Sequence, residues 1–415
     1  MKNNMNISVT ICNFLTPTVG RQNRKIMKIP SRAIGIVLIM CFAACNRQQE
    51  WPVQQIDLSQ ISENDIKLNL SEFIDTLFYI IPEAVDSGII GTYNKVIIKN
   101  DTIVIADNFG SVFVYSISGT YINSFNYKGR GPGEYTRITD IEFYNGRIYI
   151  LDNTTKMHSY NVSGEFLGGV STPELPEYFM EAYGYLFNYT VPPWLKMNDY
   201  YRFSVYDYKL NKVNSFYRTY YARIEEGMSG SAIKSYYMFD DTLSLWEQYK
   251  DTVFRITEDF KVIPRYSLHS GKKQLSYEES LKKDARDNWM ETASFSSFFE
   301  TKAFLLINMR YRTNGFALFY NKLDQTGGNV VFNYAVIDHG FHNDYDGGYP
   351  FWPSRQIDEK VFITWFDPFR FKRKYEDDYF RTLKPMHEDL HKKLEENLNE
   401  LDSLSNQWIM VVKFR

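Results

Sequence analysis

Thr102-Ile103-Val104-Ile105-Ala106-Asp107-Asn108, followed by Val112-Phe113-Val114-Tyr115-Ser116-Ile117-Ser118-Gly119, returns further on as Arg147-Ile148-Tyr149-Ile150-Leu151-Asp152-Asn153 and Met157-His158-Ser159-Tyr160-Asn161-Val162-Ser163-Gly164. Asp107 recurs as Asp152 and Gly119 as Gly164, each 45 residues on. Branched and aromatic side chains in short runs suit pleated strands. Asn100-Asp101, Asn145-Gly146 and the Ser-Gly pairs at 118–119 and 163–164 are tight-turn signals between those runs. A fixed period of about 40–50 residues made of short strands marks the blade of a propeller. Asp107 and Asp152 end the second strand of their copies, where a carboxylate caps backbone N–H groups of the turn.

Between the copies lies Gly129-Arg130-Gly131-Pro132-Gly133-Glu134-Tyr135. Its glycines allow a sharp crossing from one blade to the next, and Pro132 fixes the turn. The same N–H groups could cradle an anion, with Arg130 adding a forked donor, although no Gly-Lys-Ser/Thr follows as a phosphate loop requires. Arg130, Glu134 and Tyr135 are therefore ligand-binding candidates.

Outward from this centre, Phe73–Ile81 reads as a strand stopped by Pro82, and 171–199, with four prolines, reads as an irregular insertion. Strand patterning resumes over 201–216 and 241–268, a short helical insert is expected near 276–288, and 303–320 gives a fifth set. Val330–Ile337 with Lys360–Trp365 is read as a sixth. From Pro385, Leu390, Leu394, Leu398, Leu401 and Leu404 recur at helical steps, and 407–414 is a last strand. A ring must close, so Phe73–Ile81 and 407–414 are expected in closing blades, where pairing removes open edges.

The chain has 415 residues, 44% hydrophobic and 17% aromatic, enough to bury a large core, and its net charge of −3 disfavours nucleic acid as a partner. All three cysteines, Cys12, Cys41 and Cys45, fall in the first 45 residues, leaving no disulfide framework or thiolate site beyond them. Lys28 and Arg32 precede the apolar run Ala33–Phe42, which is too short to span a bilayer and leads into Ala43-Ala44-Cys45. Small residues before a cysteine resemble a bacterial lipobox, with Phe42 in place of the usual leucine. The expected layout is a signal peptide over 1–44 (translation starting at Met27), a lipid on Cys45, a polar tether over 45–64 and the propeller over 65–415.

Gly129–Tyr135, the strand start Asp251-Thr252-Val253-Phe254-Arg255, Asn343-Asp344-Tyr345-Asp346-Gly347-Gly348 with Phe351-Trp352-Pro353, and the terminal strand together resemble one family. It is the six-bladed β-propeller lipoproteins common in Bacteroides and its relatives, distantly similar to NHL-repeat propellers. The resemblance covers about residues 65–415. It implies an all-β, six-bladed propeller lipoprotein, to which the leucine spacing adds a C-terminal helix before the closing strand; Asn46 after Cys45 does not resemble the aspartate that retains lipoproteins at the inner membrane, so the acylated chain is expected at the outer membrane, on its periplasmic or outer face. The resemblance implies no particular ligand.

Asp338, His339, His342, Asp344 and Asp346 lie within nine residues and are weighed as a divalent-metal site on Asp344 and Asp346, as a polar loop at the channel mouth with His339, His342 and Trp352, or as a plain turn, which aspartates beside glycines usually stabilise. Pro353 stands where a calcium loop needs its last carboxylate. Trp194, Tyr200, Tyr201, Tyr349, Phe351 and Trp352 are candidate stacking platforms, although most aromatics in a propeller with this content are core. Gly227-Met228-Ser229-Gly230 lacks the spacing of a nucleophile elbow, and no carboxylate pair stands out. The sequence thus favours a membrane-anchored module that binds a glycan, peptide or protein at the channel mouth, with no cofactor assigned. The competing reading is a lyase or hydrolase on glycans or peptides.

Overall fold

Thr102–Asp107 and Arg147–Asp152, the second strands of the two copies, are buried from their second residue to their last. A strand that loses water on both faces reads as a continuous apolar run, and that burial requires a neighbouring sheet against each face. The computed structural model describes residues 52–84, 90–172, 176–190, 200–219, 234–247, 250–274, 276, 279, 291–330, 340–375 and 384–415. Cys45, Trp194, His339, the signal peptide and most of the expected helical insert lie outside the described residues.

The segment before the repeats carries β1 (Gln54–Asp57), β2 (Asp65–Ile66) and β3 (Ile74–Ile80). The first blade is β4 (Tyr93–Lys99), β5 (Thr102–Asp107), β6 (Val112–Ser116) and β7 (Tyr121–Phe125). The second is β8 (Ile138–Tyr144), β9 (Arg147–Asp152), β10 (Lys156–Asn161) and β11 (Phe166–Ser171). The third is β12 (Pro176–Ala182), β13 (Tyr185–Thr190), β14 (Tyr200–Tyr206) and β15 (Lys212–Thr219). The fourth is β16 (Lys234–Phe239), β17 (Thr242–Glu247), β18 (Thr252–Ile256) and β19 (Val262–His269). The fifth is β20 (Ala293–Glu300), β21 (Phe304–Tyr311), β22 (Asn314–Asn321) and β23 (Gly327–Val330). The sixth joins β24 (Arg355–Gln356), β25 (Val361–Phe366), β26 (Trp408–Phe414) and β3, in that order.

The six-bladed propeller is thus closed by both ends of the chain: β26 pairs antiparallel with β3, from Ile409 against Ile80 to Phe414 against Ile74. Six apolar clusters fill the six seams between neighbouring blades. Polar groups staple those seams: Glu247 binds Tyr189, Tyr217 and Arg202 across one, and Trp352 Nε1 donates to Asn308 Oδ1 over 2.7 Å across another. Asn100 and Asn145 turn their hairpins at φ +52° and +48°, the left-handed region that asparagine tolerates. Helix α1 (Pro368–Tyr375) and helix α2 (Glu388–Asn399) follow β25, and α2 buries Leu394 and Leu398. No helix among the described residues is long and apolar enough to cross a membrane.

Three expectations are corrected. The polar tether expected over 45–64 gives way by residue 54, where β1 adds to the edge of the fourth blade, parallel to β19, with Ile56 and Leu58 buried. Similarly β2 adds parallel to β23 on the fifth, so the N-terminal segment runs along the outer edges of three successive blades. Within the expected insertion, 176–190 forms the hairpin β12–β13, turned at Tyr183-Gly184 with φ of +54° and +80°. Pro176 is tolerated because it opens its strand. Val330 ends the fifth blade, pairing with Ala317, and does not begin the sixth.

Candidate functional site in the central channel

The innermost strands β4, β8, β12, β16, β20 and β24 surround a cavity of about 530 Å³ to which every blade contributes. Alternation along a strand sends every second side chain to one face, which groups Asp140 with Glu142 on β8, Tyr178 with Met180 on β12 and Tyr236 with Met238 on β16; intervening residues such as Ile141, Glu181 and Tyr237 also border the cavity. Lys95 precedes Asp140 by 45 residues, one repeat, so the two occupy the same place on successive blades. Lys95 Nζ donates to Asp140 Oδ1 over 2.7 Å. Lys99 Nζ donates to Glu181 Oε2 over 2.8 Å and lies 3.7 Å from Glu142 Oε1. Arg355 Nη2 lies 3.9 Å from Glu142 Oε2. Tyr236 donates to Asp140 Oδ2 at 3.4 Å and Tyr208 to Glu181 Oε1 at 2.8 Å. Three cations and three carboxylates thus balance within the channel, between aromatic and thioether walls.

Burial pushes the Glu142 carboxyl up, but Lys95, Lys99 and Arg355 more than offset this and hold it below the usual carboxylate range. Burial draws the Lys95 ammonium below the usual lysine range, against the attraction of Asp140. Burial also drives the Tyr236 hydroxyl far above the ordinary tyrosine value, and the Asp140 carboxylate adds to the rise.

The residues singled out from sequence lie elsewhere. In the crossing loop, Gly131 N donates to Glu134 Oε2 over 2.7 Å and Gly129 N to Tyr135 O over 3.0 Å. A Cβ on Gly129 would sit 1.9 Å from Glu134 Oε2. Tyr135 is fully buried and its hydroxyl donates to Gly110 O over 2.8 Å. The loop is therefore folded around its own Glu134 and Tyr135, while exposed Arg130 borders a separate surface cavity of about 410 Å³ with Asn153, Thr154 and Lys156. Asp107 caps its turn, accepting from the N–H groups of Phe109 and Ser111 and also of Gly91, whereas Asp152 accepts from the N–H groups of Thr136 and Arg137 in the incoming crossing and meets its own turn through the Thr154 hydroxyl.

The loop before the sixth blade packs on the rim, away from the channel. His342 pairs with Asn69 in an isolated bridge. Asp344 accepts from the N–H and hydroxyl of Ser71, and buried Asp346 from Asn343, Gly348 and Tyr79. These two carboxylates have separate partners, and no group of three or more metal-ligating side chains is found among the described residues. Trp352 is buried against Phe341, so it serves as core and not as a platform. None of 340–353 lines the channel cavity, which corrects the expectation that this loop forms its mouth.

A family model described as a domain of unknown function, DUF4934, matches residues 53–413. The chain belongs to the DUF4934 family. Among solved structures, this DUF4934 propeller is similar to a candidate exported protein of Bacteroides fragilis (TM-score 0.64, 16% identity, covering 88% of this chain and 100% of that one). A Bacteroides vulgatus member of the DUF4221 family aligns with TM-score 0.45 and 11% identity, over 82% of this chain and 97% of that one. No curated protein matches the DUF4934 chain in sequence.

The charge balance of the DUF4934 channel has a pH consequence. The folded-state value of Glu142 is lowered, so its ionised form adds stability above the unfolded carboxylate value of about 4.3. That contribution is lost as pH falls through the folded value. The stability gap between the native chain and Glu142→Gln, read from urea midpoints, should therefore be widest near neutrality and close on acidification. A gap that stays constant down to about pH 3 would contradict the ion-pair role.

Proposed function

We propose that this chain is an exported, lipid-anchored binding propeller that takes its ligand into the central channel. The observation that carries the reading is the cavity itself: about 530 Å³, walled by all six blades, within the range of small-molecule sites. Its mix of paired charges with Tyr178, Tyr236 and Trp365 suits a polar ligand with a flat face, such as a short glycan or peptide. The lyase or hydrolase alternative needs a carboxyl poised to move a proton. Asp140, Glu142 and Glu181 are each held beside a cation, which favours binding over proton transfer.

Export and anchoring are supported by Lys28 and Arg32 before the apolar run and by Ala43-Ala44-Cys45 after it. The structural neighbour from Bacteroides fragilis is itself a candidate exported protein. An acyl anchor on Cys45 would hold the propeller at the outer membrane, each buried methylene adding about 0.8 kcal/mol.

Both halves are testable together. In detergent partition Cys45→Ser should leave the membrane phase; retention there contradicts the anchor. In a glycan and peptide array, the full chain should capture a ligand whose affinity falls at least about tenfold in Tyr236→Ala, the loss typical of a central contact. An Arg130→Ala/Glu134→Ala variant should bind normally. The reverse pattern would move the site to the crossing loop.

A further inference from the structure

We infer that the channel ligand carries a carboxylate and that Arg355 receives it, an inference that rests on the channel reading above. The three channel cations are not equivalent. Lys95 and Lys99 each donate to a carboxylate within 2.8 Å. The Arg355 side chain makes no hydrogen bond with any described residue; Glu142 Oε2, at 3.9 Å from Nη2, is beyond hydrogen-bond reach. Glu142 meanwhile accepts from Phe143 N over 3.0 Å and has Lys95 and Lys99 beside it.

A guanidinium presents five N–H donors in a planar fork that matches a carboxylate edge on. The deep-set Glu300, by contrast, has its capacity taken up internally, collecting hydrogen bonds from Arg265, Lys322, Tyr237 and Tyr266. Arg355 faces the cavity with its side chain 23% exposed and its donors unspent on any described residue.

The fork is also pre-positioned. Gln356, the next residue, is clamped from both ends of its amide: Nε2 donates to Glu300 O over 2.9 Å and to Met238 O over 3.3 Å, and Oε1 accepts from Glu300 N over 2.9 Å. That three-blade clamp holds the two-residue strand β24 rigidly, and a fixed donor loses less entropy on binding. Arg355 itself pairs with Ile363 in the ladder. Around it, Tyr236, Trp365 and Ser297 offer surfaces for the body of a ligand.

The carboxylate could belong to a uronic acid or to the C-terminus of a short peptide, and the experiment separates the two.

The full chain is titrated calorimetrically with a galacturonic acid disaccharide and its neutral galactose counterpart, and with a dialanine acid and its amide. We expect one acid to bind about ten- to a hundredfold tighter than its neutral partner, the range of hydrogen bonds to a charged group. Arg355→Ala should abolish that preference and Arg355→Lys should restore part of it, with thermal melts confirming that both fold. Equal binding of acid and neutral forms, or binding by neither acid, overturns the carboxylate. If binding is equal but still weakened by Tyr236→Ala, the channel reading survives alone. If Tyr236→Ala leaves binding intact, the channel reading falls as well.

Discussion

Replacing Phe414 by alanine will cost about 3–5 kcal/mol of stability, the usual range for a phenylalanine deleted from a packed core. Phe414 is fully buried and its ring meets four others, edge-on to Phe304 and Phe362 at 5.1 Å, and tilted to Phe341 and Phe351 at 5.9 and 6.0 Å. Those partners come from the fifth blade (Phe304), the sixth (Phe362) and the loop between them (Phe341 and Phe351), so the cavity left behind loosens a seam as well as a strand. Phe414 N also donates to Lys360 O over 2.8 Å, and the residue pairs with Ile74 of β3. The ring closure therefore hangs partly on this side chain. Urea unfolding should show a lower midpoint than that of Phe166→Ala, whose ring is 41% exposed. Equal midpoints for the two variants would mean that the terminal strand does not carry the closure.

Glu300→Leu should be about as damaging, at about 3–5 kcal/mol, because it removes one side of a buried ion pair and strands the other. Glu300 is wholly buried; Arg265 Nη2 donates to it over 3.0 Å and Tyr237 over 2.9 Å, with Lys322 and Tyr266 also donating. Arg265 and Tyr237 belong to the fourth blade, Glu300 and Lys322 to the fifth. Burial pulls the Lys322 ammonium down against the attraction of Glu300. Once the carboxylate is gone, two cations and two hydroxyls face an apolar seam. Converting Lys322 to leucine as well should recover part of the loss, since it removes one stranded charge. If the double variant is no more stable than Glu300→Leu, the damage comes from packing and not from charge.

The architecture was legible because the first two blades repeat a strand environment. Strands buried on both faces must be apolar throughout, and the asparagine turns between them are chemically distinctive. Legibility failed where context outweighs local pattern. In β1 only Ile56 of four residues is buried; its identity as a strand comes from the parallel edge of β19, which no local periodicity encodes. The hairpin of β12 and β13 was hidden by prolines flanking it and by a turn built on Tyr183.

The site was less legible still. Lys95 and Asp140 are separated by one repeat, so the period alone would have paired them on the channel wall. Charges on a strand ordinarily signal a solvated face, and theirs point inward instead. For Asp344 and Asp346 the sequence left ligand and turn readings open, since acids beside glycines serve as either; the fold uses them to tie a rim loop to Ser71 and Tyr79. Arg355 stands on a two-residue strand with no motif around it, and only the closed ring brings it opposite Glu142.

A crystal structure of the full chain with the best ligand from the array tests the channel most directly. Ligand density is expected between the inner strands, beside Tyr236, Glu142 and Arg355. Density on the crossing loop at Arg130, or against the rim loop at 340–353, with the channel holding none, would contradict it.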